Sequence, residues 1–516
     1  MHCVFRVDAS LTMGTGHMMR CLTLAKHLRN MGAHVLFASR LHEGHLCDFI
    51  EQLGFFVYRL PVPVMGFVAE QVPSHARWLG VDWQQDADEF MEVFAGRDKQ
   101  VDWLIVDHYA LDYRWEQYVR SLVKQILVID DLADRKHDCD LLLDQSFGRC
   151  KNYYRPYLLT DCQQLLGSEY ALLRSQFAKI RQKALKKRAS STHISNILIS
   201  MGGVDPDNIT SLVIQGLETI TWPGTVCIDV VLGGTPHHEQ VRELALKSHL
   251  KINVLSDVLD MAGLMVNADL AIGAGGTTAW ERCSLGLPTL VVITADNQKF
   301  LVKNLVSVGA IISLGKSAQV TVKSFAKAVG LLLPQKRYYE KMVTAAFSIC
   351  DGLGVERVAG KIFRQSTNYC LRMAREEDCK LVFTWQANPK VRQYFRNPEV
   401  PSWQEHRSWF YQSVKDSDRE LFIIECESQA VGVIRLDKIK EEKVFFEISI
   451  LVALEWQGRG VGLEVLRSLR KSRPEDTFIA KVLEKNTVSK KLFTSAGYAS
   501  LDHNQFISKG IVTSKL

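Results

Sequence analysis

Between Cys3 and about Cys150, short apolar runs alternate with helical stretches, and no other feature of the sequence limits the fold as strongly. VLFAS (35–39), FFVYRL (55–60), DWLIVDHY (102–109) and QILVIDD (125–131) each follow a segment with helical periodicity. Strands separated by helices pack as a doubly wound, mainly parallel α/β sheet, which binds ligands beyond the carboxyl ends of its strands. The first unit contains FRVDASLTMGTGHMMRCLTLA (5–25). It reads as a buried strand (Val4 to Val7), a tight Gly14-Thr15-Gly16 loop and a helix opening at His17. Gly14 and Gly16 expose backbone to a close-approaching ligand. Met18, Cys21, Leu22, Ala25 and Leu28 form one buried stripe, placing His17 at the first turn and Arg20 one turn on. A helix N-terminus disfavours imidazolium, and a neutral histidine beside such a loop suits a general base. Asp107-His108-Tyr109 and Asp130-Asp131 fall at strand ends and face the same crevice, with strand-end capping as the competing reading for the aspartates.

A chain of 516 residues divides into roughly two to four domains. Its 47% hydrophobic and 23% charged content fits a soluble globular protein, and a net charge of +6 is too small to call for nucleic acid. The basic run KIRQKALKKR (179–188) reads as a solvated helix face. Twelve cysteines are scattered without C-x-x-C pairs or metal-ligand spacing, which points to a reducing, cytoplasmic setting. No apolar run reaches the ~18 residues of a membrane span, and strand-like sequence from Cys3, without a charged n-region or apolar h-region, leads us to expect no secretory signal.

Residues 151–190 read as a connecting region with YYRPY (153–157), EYALLRSQF (169–177) and the basic helix. A second α/β unit follows. NILISMGG (196–203) is a strand ending in a glycine turn, Pro206 and Asn208 lead into a helix to Ile220, and VCIDVVLG (226–233) and DLAIG (269–273) continue the alternation. In GAGGTTAWERCSLGLPTLVVITADNQ (273–298), Gly273, Gly275 and Gly276 close a strand and Thr277 opens a helix, an arrangement suited to a diphosphate. Glu281 lies one turn on, where a carboxylate accepts hydrogen bonds from ribose hydroxyls. Asp296, Asn297 and Gln298 follow the next strand and can read sugar hydroxyl or amide groups. Two Rossmann-like halves facing one crevice describe the GT-B architecture.

VDAS with GTGHMMRC, then VDHY, LLGSEYALLR, MGGVDPDN and GAGGTTAWER with DNQ together resemble the UDP-sugar hydrolases of pseudaminic acid biosynthesis, from residue 3 to about 350. The resemblance implies a substrate, UDP-2,4-diacetamido-2,4,6-trideoxy-β-L-altropyranose, cleaved with water as acceptor and without a metal. It implies His17 as the base for water, Tyr109 and Arg174 as ligand contacts, Glu281 at the UDP ribose and Asn297 near the sugar.

From about residue 369 the pattern restarts. LRMAREEDCKLVFTWQANP (371–389) gives a strand and a helix, FIIECESQAVGVIRLDKI (422–439) a hairpin, and FFEISILV (445–452) a strand ending at Val452. Gln457-Gly458-Arg459-Gly460-Val461-Gly462 then places successive amides at a helix start, a pyrophosphate site. With Asn486, Ser489 and AGY (496–498) this resembles the GNAT acyl-CoA N-acetyltransferases, which implies acetyl-CoA as co-substrate. Many GNAT enzymes carry an acid tyrosine about seven residues after the motif asparagine; here that place holds Phe493, and Tyr498 sits in a turn where an aromatic packs. Glu447, on the strand feeding the glycine run, is the candidate base.

Three domains are expected: 1–190 and 191–355 as the halves of a GT-B hydrolase, and 369–516 as a GNAT α+β domain. The expected activities are acetyl-CoA-dependent N-acetylation of a UDP-4-amino-4,6-dideoxy sugar and hydrolysis of the diacetamido product to UDP and free sugar, with inversion. The alternative is a GT-B glycosyltransferase with a regulatory or protein-modifying GNAT domain; it would need an apolar, basic acceptor surface, and no such cluster stands out in the sequence.

Overall fold

Two wholly parallel sheets and one mixed sheet carry the chain. The computed structural model describes all residues except 69–71, 95–99, 191–192, 257, 367–368, 427–428, 440–444 and 509–516, and only the backbone of 364–366. Two compact units result, Met1–Val358 and Ala359–Leu516.

The first sheet comprises β1 (His2–Val7), β2 (His34–Arg40), β3 (Phe56–Leu60), β4 (Val101–Asp107), β5 (Val123–Ile129), β6 (Leu141–Asp144) and β7 (Gln163–Leu166). Its order is β3-β2-β1-β4-β5-β6-β7. The second comprises β8 (Asn196–Ser200), β9 (Cys227–Leu232), β10 (Lys251–Ser256), β11 (Leu270–Ala274), β12 (Thr289–Ile293) and β13 (Ile311–Lys316), ordered β10-β9-β8-β11-β12-β13. In each sheet the order reverses beside the first strand, and such a switch point opens a crevice at the strand ends. The strands are apolar runs because helices cover both faces; Val4, Phe5, Leu104, Ile105, Ile126 and Leu127 are fully buried.

Region 151–190 is more structured than a connector. β7 extends the first sheet, while the Ser175–Ser190 helix buries Phe177 and Ala184 in the core of the second half. The basic run is a solvated face only in part: Lys179, Lys183 and Lys186 are exposed, whereas the two arginines turn inward. Arg181 donates to the carbonyls of Ser284, Phe347 and Cys350. Arg188, buried, donates to Met265, Val266 and Ala268. Helix C-termini leave four carbonyls unpaired and carry partial negative charge, so buried guanidinium groups are favourable there.

In the second unit, β14 (Tyr369–Met373), β15 (Arg419–Cys426), β16 (Gln429–Ile439), β17 (Phe445–Val452), β18 (Thr477–Lys481), β19 (Ala499–Ser500) and β20 (Gln505–Ile507) form a sheet ordered β14-β15-β16-β17-β18-β20-β19. All its pairs are antiparallel except β17–β18. That parallel pairing covers only Phe445–Glu447 against Thr477–Ile479, so the two strands part beyond Glu447. No described helix is long and apolar enough to cross a membrane.

Candidate active site

At the switch point of the first sheet, the Gly16–Asn30 helix brings His17 to the end of β4. His17 Nδ1 lies 2.6 Å from Asp107 Oδ1. Burial alone would raise the Asp107 pKa, but the Arg20 charge, with hydrogen bonds from Arg20 and His17, holds it far below the usual carboxylate range. An ionised carboxylate only accepts, so Nδ1 carries the proton and Nε2 is left as the basic nitrogen. Among the described residues no bond engages Nε2. The group facing the ring is thus a carboxylate 90 residues away in sequence, and it fixes the tautomer in a way the helix dipole cannot. Gly14 (φ +73°) and Gly16 have open space where a Cβ would stand, so the loop is accessible from the crevice.

Arg20 is not open to a ligand. Arg20 is 5% exposed as a residue, and its guanidinium donates to both oxygens of Asp107 at 2.6 and 2.7 Å and to Asp131 at 2.9 Å. It holds the two strand-end carboxylates in place, which corrects the substrate contact expected of it. Tyr109 meets His17 edge-on at 4.5 Å and donates its hydroxyl to Asp131. Burial, then the Asp131 charge, raises the Tyr109 pKa, and nearby Asn297 from the second half pulls the other way. His17, Tyr109 and Asn297 therefore converge although they lie on different elements.

A buried network lies beneath. Arg6 pairs with Asp8 and Asp86 at 2.6 Å each, Arg40 pairs with Asp86 at 2.7 Å, and Trp115 Nε1 donates to Asp86. Sequence reasoning missed it; the available signal was an arginine and an aspartate bracketing the apolar end of β1.

In the second sheet, Gly202 and Gly203 follow β8, and a Cβ on Gly203 would lie 3.3 Å from Thr15 Oγ1, so this turn faces the Gly14–Gly16 loop. Gly275, Gly276 and Thr277 link β11 to the Thr278–Ser284 helix. Gly276 has open space at its Cβ position, whereas a Cβ on Gly275 would meet Val302 at 2.6 Å. Gln298 does not face a ligand as expected: its Oε1 accepts from the Gly275 and Thr294 amides at 3.2 and 3.0 Å, shaping the loop from within. Arg174 Nη2 pairs with Glu281 Oε1 at 3.2 Å. Burial raises the Glu281 pKa, and Arg174 opposes it.

In the second unit, Gly458 (φ +79°) and Gly460 (φ +82°) adopt left-handed backbone and lead into the Val461–Ser472 helix. Gly458 has open space at its Cβ position, and Gly462 sits 3.1 Å from Leu492 by the same measure, so it serves packing. Val461 is buried, Gln457 Nε2 donates to the Val452 carbonyl at 3.0 Å, and the Arg459 guanidinium lies 4.6 Å from the Trp456 ring centroid. Asn486 Oδ1 accepts from the Ser489 amide at 3.0 Å, capping the Thr487–Ser495 helix.

Glu447 departs from its expected role. Burial would raise its pKa, but Lys481 at 2.9 Å and Arg396 hold it below the usual value of 4.5. A carboxylate stabilised by two cations is a weak proton acceptor, which weighs against the base role expected of Glu447 and fits an anchor for Arg396 and Lys481. Those two cations line an open cleft of about 370 Å³ with Glu484, Asn504 and Gln505. Tyr498 is buried edge-on against Phe493, and its hydroxyl has no hydrogen-bond partner among the described residues.

Residues 368–499 match the acetyltransferase (GNAT) domain family model. An uncharacterized protein of Methanocaldococcus jannaschii is 24% identical over 95% of both chains. The UDP-2,4-diacetamido-2,4,6-trideoxy-beta-L-altropyranose hydrolase of Campylobacter jejuni is 26% identical over 58% of this chain and 94% of its own. Acetyltransferase PseH of the same organism is 23% identical over 25% of this chain and 82% of its own. The chain therefore joins a segment similar to that UDP-sugar hydrolase to a domain that matches the GNAT acetyltransferase model.

Proposed function

We propose that the chain is bifunctional, acetylating the 4-amino group of a UDP-4-amino-4,6-dideoxy sugar with acetyl-CoA and hydrolysing the resulting UDP-diacetamido sugar. The observation that carries the hydrolase reading is the Asp107–His17 pair beside an open glycine loop at the switch point of the first sheet. His17 Nε2 takes a proton from water as the water oxygen attacks the anomeric carbon. The carbon–oxygen bond to UDP breaks on the opposite face, the electron pair leaves with the diphosphate, and the anomeric centre inverts. Arg174 and the Gly276–Thr277 amides face the leaving diphosphate, Glu281 binds the ribose and Asn297 the sugar. Preorganised donors of this kind stabilise charge that develops only as the bond breaks.

In the second unit the left-handed Gly458 and Gly460 and the parting of β17 from β18 fit acetyl-CoA, which supplies the activated acetyl group. Gln457–Gly462 would hold its pyrophosphate. Arg396 and Lys481, held by Glu447, would meet an anionic acceptor.

One observation bears on the glycosyltransferase alternative. Val62, Val64, Met65, Val68 and Val72 are exposed in the first unit, an apolar surface that the sequence pattern did not reveal, although residues 61–68 contain no lysine or arginine. Incubating the protein with the UDP-diacetamido sugar and no acceptor separates the readings. Release of UDP and free 2,4-diacetamido-2,4,6-trideoxy-L-altrose, followed by NMR, supports the hydrolase; absence of UDP release without an acceptor rejects it.

A further inference from the structure

The helical turn Ala76–Leu79 carries aromatic side chains to the His17 site. Trp78 stacks on Tyr109 with centroids 5.6 Å apart and planes 25° from parallel, and meets His17 edge-on at 6.5 Å. His75, just before the turn, packs 4.7 Å from Trp78 and 5.2 Å from Tyr109. Both His75 and Trp78 are half-buried, so each keeps accessible surface beside the base.

The protonation of His75 follows from its neighbours. Asp134 pairs with Arg135 at 3.1 Å and, as a carboxylate, can only accept. Ser74 Oγ therefore donates its one proton to Asp134 Oδ2 at 3.2 Å. His75 Nδ1, 2.9 Å from Ser74 Oγ, must then donate to that hydroxyl oxygen. Burial lowers the His75 pKa, which keeps the ring neutral and leaves Nε2 as a bare acceptor. An acceptor nitrogen beside an indole suits a substituent with an N–H donor at one end and a methyl group at the other.

We propose that His75 and Trp78 determine sugar specificity in the first unit, Nε2 of His75 accepting the N–H of an acetamido substituent while Trp78 covers its methyl group. A fully hydroxylated sugar would set polar groups against the indole and leave them without partners, which a site of this composition disfavours. The inference rests on the UDP-sugar hydrolase reading and deepens it.

The test compares UDP release from the UDP-diacetamido-trideoxy sugar with release from its analogue carrying hydroxyls in place of both acetamido groups, using the full-length protein. The wild type is expected to favour the diacetamido sugar by more than about tenfold in kcat/KM. Trp78→Ala should raise KM for that sugar roughly tenfold and shrink the preference, and Trp78→Phe should restore most of it, as expected for a contact made by an aromatic face. His75→Phe, which keeps a ring but removes the acceptor, should also raise KM. UDP affinity by calorimetry should stay within about twofold in all three variants, a result that a collapsed site would not give. Trp78→Ala with an unchanged preference, or with UDP binding weakened as much as substrate binding, overturns the proposal while leaving the hydrolase reading standing. A wild type inert towards both sugars overturns the two together.

Discussion

Asp107 makes three demands of its surroundings: it must stay ionised, hold His17 by Nδ1 and be held by Arg20. Asp107→Asn keeps the shape but can offer Nδ1 an amide N–H, which favours the wrong tautomer. UDP release should fall by about 10²–10⁴, the usual worth of general acid–base catalysis, with UDP affinity little changed; activity within threefold of wild type would show that Asp107 does not position the base. Glu447 leads to a different expectation. Because Lys481 and Arg396 hold its pKa below the usual carboxylate value, Glu447 is not expected to produce an acidic limb near neutral pH. The kcat/KM–pH profile of acetyl transfer should therefore keep its shape in Glu447→Gln, while the acceptor KM rises. A limb that disappears in this variant would reinstate Glu447 as the base. Tyr498→Phe removes a buried hydroxyl that has no partner among the described residues, and should leave both turnover and stability nearly unchanged.

At the level of elements, the Ser175–Ser190 helix is held by arginines acting as caps for other helices. Arg188→Ala removes a charged donor from three carbonyls and should cost about 2–4 kcal/mol in urea unfolding. Lys183→Ala, on the exposed side of the same helix, should stay within about 0.5 kcal/mol of wild type. Equal effects from the two would mean the caps contribute nothing. From sequence the helix looks uniformly basic, because composition does not tell which cations have carbonyls waiting for them. Strands were legible where apolar β-formers run without interruption: FFEISILV is β17 to the residue. β6 (LLLD) and β7 (QQLL) were missed because four-residue runs of leucine and glutamine carry no strand period, and β10 (KINVLS) because it is a partly exposed edge of its sheet. The glycine loops were legible since a strand–glycine–helix turn is local. The pairings that give the loops chemistry, His17 with Asp107 and Arg174 with Glu281, join residues 90 and 107 apart, and only the sheet order brings them together.

For the whole molecule, the division into Met1–Val358 and Ala359–Leu516, each with its own buried clusters, predicts two unfolding transitions in calorimetry. Acetyl-CoA at about 100 times its Kd should stabilise one unit by about 2.7 kcal/mol and leave the other in place, and UDP should do the reverse. A single transition moved by both ligands would show that the two units unfold as one. The arginine-capped helix also has a mechanical consequence within the first unit. Arg174 stands between Leu173 and Phe177, and both of these are packed in the core of the second half. Although the chain reaches Arg174 directly from the first sheet, its side chain is geared to the second: should the crevice gape, the Arg174–Glu281 pair would swing away from His17 as one rigid jaw, and the leaving group would travel with it.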